Sequence, residues 1–206
     1  IISSRLQNEI FILDHSTTSD EASGHTGGNS GSGGDFLYRW GNPQNYDRGS
    51  SENQILGWQH GVNRIDPTYP GGGNIIIYNN NHYPTEDNHS AVIEIDPPID
   101  ENNNYILLED LAFGPETVEW MVVDEFQTPI QGGAFRLPNG NTLITQTHTA
   151  TIIEVDYEGN ILWGFNYESE LGSSWIARAQ KYSQDYIMEF ILGDLNDDGT
   201  LNILDI

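Results

Sequence analysis

One pattern recurs three times along this chain of 206 residues and restricts the folds that it can form. The segments NEIFILD (8–14), SAVIEID (90–96) and ATIIEVD (150–156) are each rich in β-branched or other large apolar residues and end on Asp. Each predicts a strand that closes on a turn acid. After each segment comes another strand-like stretch that carries a Trp.

The second and third copies also have two strand-like segments in front of them. GNIIIYN (73–79) and GNTLITQ (140–146) come directly before, and QHGVNR (59–64) and QGGAFR (131–136) open the unit. Four short strands that meander through Gly, Asn and Pro turns are typical of a β-propeller blade of roughly 40 to 50 residues. The predicted fold class is therefore all-β, with four-stranded antiparallel blades.

The number of blades indicates an incomplete propeller. The first copy is expected to lack its opening strands, and SWIARAQKYSQDYIM (174–188) supplies only an opening strand or two of a fourth, so about three to four blades are present. The chain begins at IISSR without a Met, and we expect an internal fragment of a longer protein. The predicted domains are a propeller part over 1–188 and a calcium-binding repeat over 189–206.

Composition excludes several functions. Only 7 Lys and Arg stand against 31 Asp and Glu, so a formal charge of −24 would repel a phosphate backbone, and nucleic acid is not an expected partner. The absence of Cys excludes disulfides, thiolate catalysis and Cys-ligated zinc. No apolar run approaches the roughly 20 residues that span a bilayer, so no membrane span is predicted.

The last segment, GDLNDDGTLNILDI, has the spacing of an EF-hand-like calcium loop. Oxygen-bearing side chains occupy positions 1, 3, 5, 7, 9 and 12, and Gly199 stands at the turn position 6. These predicted Ca²⁺ ligands are Asp194, Asn196, Asp198, Thr200, Asn202 and Asp205. The continuation NILDI and the Asp at the last position resemble a dockerin repeat. A cohesin-type partner would require a complete dockerin of two repeats, and an extracellular setting is expected.

Candidate chemical groups lie where the repeats differ. QHGVNR carries His60 where QGGAFR carries Gly132, and the first strand of a propeller blade lines the central channel. His148 is expected at a strand edge facing the same mouth, and Arg5, a scarce cation, would suit an anionic substrate. A structural histidine, bonded to a neighbouring blade, is the alternative interpretation of His60. Arg64 and Arg136 share one repeat position and are predicted to be structural, paired with turn acids.

An ordered set of motifs resembles the arylsulfotransferase (aryl-sulfate sulfotransferase) family over about residues 1–188. The set comprises ISSR and NEIF with the following DHS, then GGDFLYRWGNP, the blade-opening QH, GNIIIYNN, QGGAFRLPNGNTLI and IIEVDYEGNILW. The resemblance implies a six-bladed propeller that is exported to the periplasm, the cell surface or beyond. It also implies sulfuryl transfer from a phenolic sulfate ester to a phenol acceptor, with no nucleotide cofactor.

The resemblance assigns a role to each candidate. His60 matches the histidine that is transiently sulfated, and Arg5 and Asn8 match residues that stabilise charge on the sulfuryl oxygens. A second histidine protonates the leaving phenolate, and His148 is the candidate here. The family's enzymes carry His just after SSR, where this sequence has Leu6. The alternative function is a non-catalytic extracellular propeller that binds carbohydrate or protein and is stabilised by calcium.

Overall fold

The computed structural model describes residues 1–81, 89–123, 128–168 and 174–183. Within them, eleven strands form three antiparallel sheets that follow one another along the chain. The first sheet contains β1 (Ile2–Ser4), β2 (Glu9–Ile12) and β3 (Tyr38–Trp40). The second contains β4 (His60–Arg64), β5 (Ile75–Asn79), β6 (Ala91–Ile95) and β7 (Trp120–Val123). The third contains β8 (Gly133–Arg136), β9 (Thr142–Gln146), β10 (Thr151–Val155) and β11 (Ile161–Asn166).

The helical content of the described residues is small and lies in connections. Helix α1 (Ser19–Ala22) interrupts the long Gly- and Ser-rich loop between β2 and β3, and Thr18 caps it. Two 3₁₀ helices, Pro43–Tyr46 and Ser51–Asn53, lie between β3 and β4. The all-β class predicted from the sequence is confirmed.

Each complete sheet is an antiparallel meander, as the repeats predict. The sheet orders are β4-β5-β6-β7 and β11-β10-β9-β8, so neighbours in sequence are neighbours in space. The prediction that the first copy lacks its opening strands is wrong in part, because β1 pairs with β2. Its short sequence, ISS, has too few apolar residues to be matched with the second strand of the other copies.

Residues 174–183 run beside the third sheet without forming a strand. The Ile176 amide lies 3.4 Å from the carbonyl oxygen of Thr147, and the Ala179 amide donates to the Thr145 hydroxyl at 3.0 Å. The opening strand predicted for this segment is therefore not formed within the described residues. The rest of that predicted strand region and the calcium loop lie outside the described part of the chain.

The core consists of two hydrophobic clusters, each between consecutive sheets. Alternate residues of a strand point to opposite faces, so Ile75 and Ile77 pack towards the first sheet while Ile76 and Tyr78 pack towards the third. Strands β5 and β6 are buried along their whole length for this reason. A continuous apolar run is the expected sequence of a strand covered on both faces.

Polar contacts between sheets also recur. The indole Nε1 of Trp40 donates to the Pro115 carbonyl at 3.0 Å, and that of Trp120 donates to the Tyr157 carbonyl at 2.6 Å. Each bond joins the last strand of one sheet to the segment leading into the last strand of the next. Trp163, the corresponding tryptophan of the third sheet, is 50% exposed, since no further described sheet follows β11.

Ion pairs that involve a buried glutamate repeat in the same way. Glu94 of the second sheet pairs with Arg136 at the end of β8, and Glu154 of the third sheet pairs with Lys181 at 2.5 Å. Arg136 also donates to the Gly140 carbonyl, as Arg64 does to the Gly73 carbonyl. The two arginines are structural as predicted, although their turn partners are carbonyls rather than acids. Successive sheets thus repeat one mode of contact, while the closed six-bladed ring stays a prediction.

Candidate active site

The candidate residues lie at one edge of the sheets. Strand β4 begins at His60, which is paired with Tyr78 near the end of β5. Arg5 and Asn8 lie in the β1–β2 turn, and His148 lies in the β9–β10 turn. Because antiparallel strands alternate in direction, these turns and the start of β4 occupy the same end of their sheets. We call this end the His60 edge.

His60 is half-buried and is held through one ring nitrogen. Its Nδ1 lies 2.7 Å from Oδ1 of Asn80, a side chain that is 2% exposed. The Asn80 amide nitrogen donates to the carbonyl oxygens of Thr128 and Gln131, both at 2.7 Å. The other ring nitrogen, Nε2, has no hydrogen-bond partner among the described residues. The imidazole is therefore held through Nδ1, and Nε2 is left available to react with or bind a ligand.

The two residues before His60 are fixed to the first sheet. Gln59 is fully buried, and its Nε2 donates to the Glu9 carbonyl at 2.8 Å and the Ser4 carbonyl at 3.2 Å. The Trp58 backbone amide donates to Oδ1 of Asn8 at 2.9 Å. These bonds fix the position of His60 relative to the β1–β2 turn.

The β1–β2 turn brings a cation close to this segment. The guanidinium carbon of Arg5 lies 5.3 Å from the centre of the Trp58 ring, within cation–π range. Asn8 adopts a left-handed backbone, with φ of 56°, which Asn tolerates better than most residues. Since Oδ1 of Asn8 is used to accept from Trp58, its Nδ2 is the atom that could reach a ligand. The structure thus places Arg5 and Asn8 beside the residue two positions before His60.

The basic side chains divide into two groups. Five bind acids, carbonyls or a hydroxyl in the described part of the chain: Arg39, Arg48, Arg64, Arg136 and Lys181. Arg5 and Arg178 have no ion pair or hydrogen bond there, and each guanidinium stacks on an aromatic ring. In a chain of charge −24, these two guanidiniums are the ones left to bind an added anion.

Arg178 was not predicted as a site residue. Its guanidinium lies 5.5 Å from the centre of the Phe135 ring, and its stem packs against Gly133. Gly133 in turn is close to Gly61, because a Cβ placed on Gly61 would lie 2.7 Å from the Gly133 Cα. Arg178 therefore packs on Gly133, which in turn lies against Gly61, the residue after His60. The scarcity of cations in the sequence was the signal that could have identified it.

His148 occupies a different environment from His60. It is exposed, and its ring centre is 5.6 Å from the centre of the Trp175 ring. No described contact joins it to His60. Leu6, at the equivalent repeat position, is 83% exposed. His148 therefore shares an end of the sheets with the other candidates without a direct contact to them.

Burial determines the protonation state of Tyr78, the residue that pairs with His60 in the sheet. Tyr78 is fully buried, and desolvation raises the pKa of its hydroxyl, so the side chain is neutral at neutral pH. Within the described residues, no group of three or more His, Cys, Asp or Glu side chains could hold a metal ion. The predicted calcium ligands, from Asp194 to Asp205, lie outside those residues. The His60 edge therefore combines a half-buried imidazole, held at Nδ1, with the guanidinium of Arg5 in the neighbouring β1–β2 turn.

These features define an all-β protein of repeated antiparallel sheets, with His60 and Arg5 at one edge. A family model described as arylsulfotransferase (ASST) matches residues 1–168. Because this match covers most of the chain, the protein belongs to the arylsulfotransferase family. A search of curated proteins gave no match. In the described part of the chain, no helix has both the length and the apolar character needed to cross a membrane.

Proposed function

We propose that this protein transfers a sulfuryl group from a phenolic sulfate ester to a phenol through a sulfated His60. Membership of the arylsulfotransferase family supports the reaction class. The observation that carries the proposal is the state of His60, whose Nδ1 is held by Asn80 while Nε2 has no partner among the described residues. No nucleotide cofactor takes part, because the donor is the aryl ester itself.

In the first half-reaction, Nε2 of His60 attacks the sulfur of the donor ester. The N–S bond forms as the bond between sulfur and the phenolic oxygen breaks, and the electron pair of that bond leaves on the phenolate. The phenolate takes a proton from a general acid, for which His148 is the candidate, or from water. The products of this step are a free phenol and sulfo-His60.

In the second half-reaction, an acceptor phenol attacks the same sulfur. Its oxygen forms a bond to sulfur as the N–S bond breaks, and its proton passes to a base or to water. Arg5, with the Asn8 amide nitrogen, would stabilise negative charge on the sulfuryl oxygens in both steps. Arg178 would add a second guanidinium to the same anion, since it too is without an anionic partner in the described residues.

Labelling of the histidine tests this mechanism. The full-length protein is incubated with p-nitrophenyl sulfate, with and without a phenol acceptor, and peptides are analysed by mass spectrometry. We expect release of p-nitrophenol and a sulfuryl mass on His60 that the acceptor removes. His60→Ala should lose both, while His25→Ala, which removes an exposed loop histidine paired with Asp35, should lose neither. Phenol release without any mass on His60 would contradict the mechanism.

A second candidate function is binding without catalysis. Leu6 and Trp58 are both exposed at the His60 edge, by 83% and 46%, and an exposed indole is a suitable platform for a sugar ring or a partner protein. Absence of a general acid at Leu6 would cost an enzyme about 10²- to 10⁴-fold. If the labelling experiment shows neither phenol release nor sulfation, quenching of Trp58 fluorescence by oligosaccharides would support this function instead.

We further propose that the C-terminal segment binds Ca²⁺ and that the protein is secreted, periplasmic or displayed at the cell surface. The alternation of oxygen ligands from Asp194 to Asp205 supports the calcium loop. Ca²⁺ should protect this segment from proteolysis and a chelator should remove the protection. Equal cleavage with and without Ca²⁺ would contradict the proposal. A cohesin-type partner is expected only with a complete dockerin, and cell fractionation tests the location.

A further inference from the structure

We propose that Asn80 is a positioning residue that fixes the tautomer of His60, with the proton on Nδ1 and the lone pair on Nε2. Asn80 is the last residue of the motif GNIIIYNN and directly follows strand β5, but nothing in the sequence marks it as a site residue. The role in catalysis rests on the sulfuryl transfer proposed above. The tautomer itself is a property of the protein that can be measured without any substrate.

The argument starts from the orientation of the Asn80 amide. One end of this amide faces two backbone carbonyl oxygens, those of Thr128 and Gln131, each at 2.7 Å. Carbonyl oxygens only accept hydrogen bonds, so the end that faces them must be the NH₂ group, which has two protons to donate. The reversed orientation would set three acceptors against one another in a buried site. The orientation of the side chain is therefore determined by its partners.

The opposite end of the amide then determines the proton on His60. Oδ1 of Asn80 faces Nδ1 of His60 at 2.7 Å, and an amide oxygen only accepts. Nδ1 must therefore carry a proton to form this bond. In a neutral imidazole only one nitrogen is protonated, so Nε2 retains its lone pair. Burial strengthens the preference, because the other tautomer would place two lone pairs face to face.

Asn80 is held rigidly enough to impose this state. The side chain is 2% exposed, and the Ser90 hydroxyl donates to the Asn80 backbone carbonyl at 3.0 Å. The hydrogen bond between His60 and Asn80 would persist after sulfation of Nε2, because the Nδ1–H of His60 could still donate to Oδ1 of Asn80. A sulfated ring that keeps its Nδ1 proton remains cationic, which makes the imidazole a better leaving group in the second half-reaction. Asn80 would thus assist both formation and cleavage of the N–S bond.

The neighbouring Asn79 provides a matched control. It is also buried, its Oδ1 accepts from the Gly57 amide at 2.7 Å, and its Nδ2 donates to the Ile55 carbonyl at 3.0 Å. Like Asn80, it ties a loop to the end of β5. It has no hydrogen bond to His60. Asn79→Ala therefore reproduces the structural loss without removing the contact to the imidazole.

The test is a long-range ¹H–¹⁵N correlation spectrum of the full-length protein labelled at histidine, with His60 assigned from His60→Gln. We expect a protonated Nδ1 and a bare Nε2 in the neutral ring of the wild type and of Asn79→Ala. Asn80→Ala should shift the ring towards the Nε2-protonated tautomer. A wild-type ring with its proton on Nε2 would overturn the proposal, whatever happens to the folding of the variants. So would an unchanged tautomer in folded Asn80→Ala.

Kinetics provide the second measurement. In sulfuryl transfer, we expect Asn80→Ala to lower kcat by about tenfold, the equivalent of one lost hydrogen bond in the transition state, and Asn79→Ala to leave kcat unchanged. Equal loss in both variants would mean that Asn80 acts only through the loop. If the protein has no transferase activity but His60 is protonated on Nδ1, the proposed function is refuted and the proposed role of Asn80 in fixing the tautomer stands. If the protein is active but the ring is protonated on Nε2, the proposed function stands and the role of Asn80 is refuted.

Discussion

Gly61 controls how closely β4 approaches β8, and Gly61→Ala should be strongly destabilising. The residue has φ of 59°, and a Cβ there would lie 2.7 Å from the Gly133 Cα and 2.8 Å from the Gly132 carbonyl oxygen. The left-handed backbone costs an Ala about 1 to 2 kcal/mol. Overpacking adds about 1 to 3 kcal/mol, because the opposing atoms are backbone and cannot rotate away. We therefore expect a loss of about 2 to 5 kcal/mol in the free energy of unfolding.

Gly31→Ala separates these two contributions. Gly31 also has a positive φ, 72°, but nothing lies within 4 Å of its Cβ position. It should lose only the backbone contribution of about 1 to 2 kcal/mol. Urea unfolding at 25 °C, compared at equal m-values, measures both variants. If Gly61→Ala were no more destabilising than Gly31→Ala, the close approach of β4 and β8 at the His60 edge would be refuted.

Two ion pairs carry further predictions. Glu94→Gln leaves the buried guanidinium of Arg136 without its counter-charge and should cost about 3 to 5 kcal/mol in urea unfolding, whereas a loss below 1 kcal/mol would exclude a buried pair. The pKa of Glu154 is lowered by hydrogen bonds, first from Asn141 and then from Lys181. Its contribution to stability is therefore present above its unfolded pKa of about 4.3 and lost as the pH falls through the lower folded value. The wild type should lose more stability than Glu154→Gln as the pH falls below about 4.3, and parallel curves would contradict this.

The strands were predictable because they repeat. Apolar runs with turn residues at both ends identified most strands of the second and third sheets, the repeated segments QHGVNR and QGGAFR identified β4 and β8, and the shared terminal Asp aligned the copies. The start of the chain was strand-like, but β1 was not assigned to the first copy because three residues are too few to show the repeat pattern. The contact of Trp40 with the Pro115 carbonyl could not be foreseen either, since the two are 75 positions apart and no local rule relates them.

The site was predictable only in part. His60 stood out because its counterpart is Gly132, and Arg5 stood out because cations are scarce. Asn80 could not be recognised, since its function depends on which of its two amide ends meets two distant carbonyls. Arg178 could not be placed, because residues 174–183 form no strand from which its neighbours could be deduced. Roles that depend on a partner's orientation require coordinates, whereas roles that depend on a repeat position do not.

The difference between His60 and Gly132 follows from the sheet that precedes each of them. A Cβ on Gly132 would lie 2.6 Å from the ring of Tyr78, which pairs with Val92 in the second sheet. In the first sheet, the residue with the corresponding register is Ser3, which pairs with Ile10. Its hydroxyl is small and lies 3.3 Å from Nε2 of Gln59. At this register position the first sheet therefore presents a serine to β4, where the second sheet presents the ring of Tyr78 to Gly132. An imidazole can therefore be accommodated at one copy of the repeat and not at the other, and the choice is made by the neighbouring strand rather than by the strand that carries the histidine.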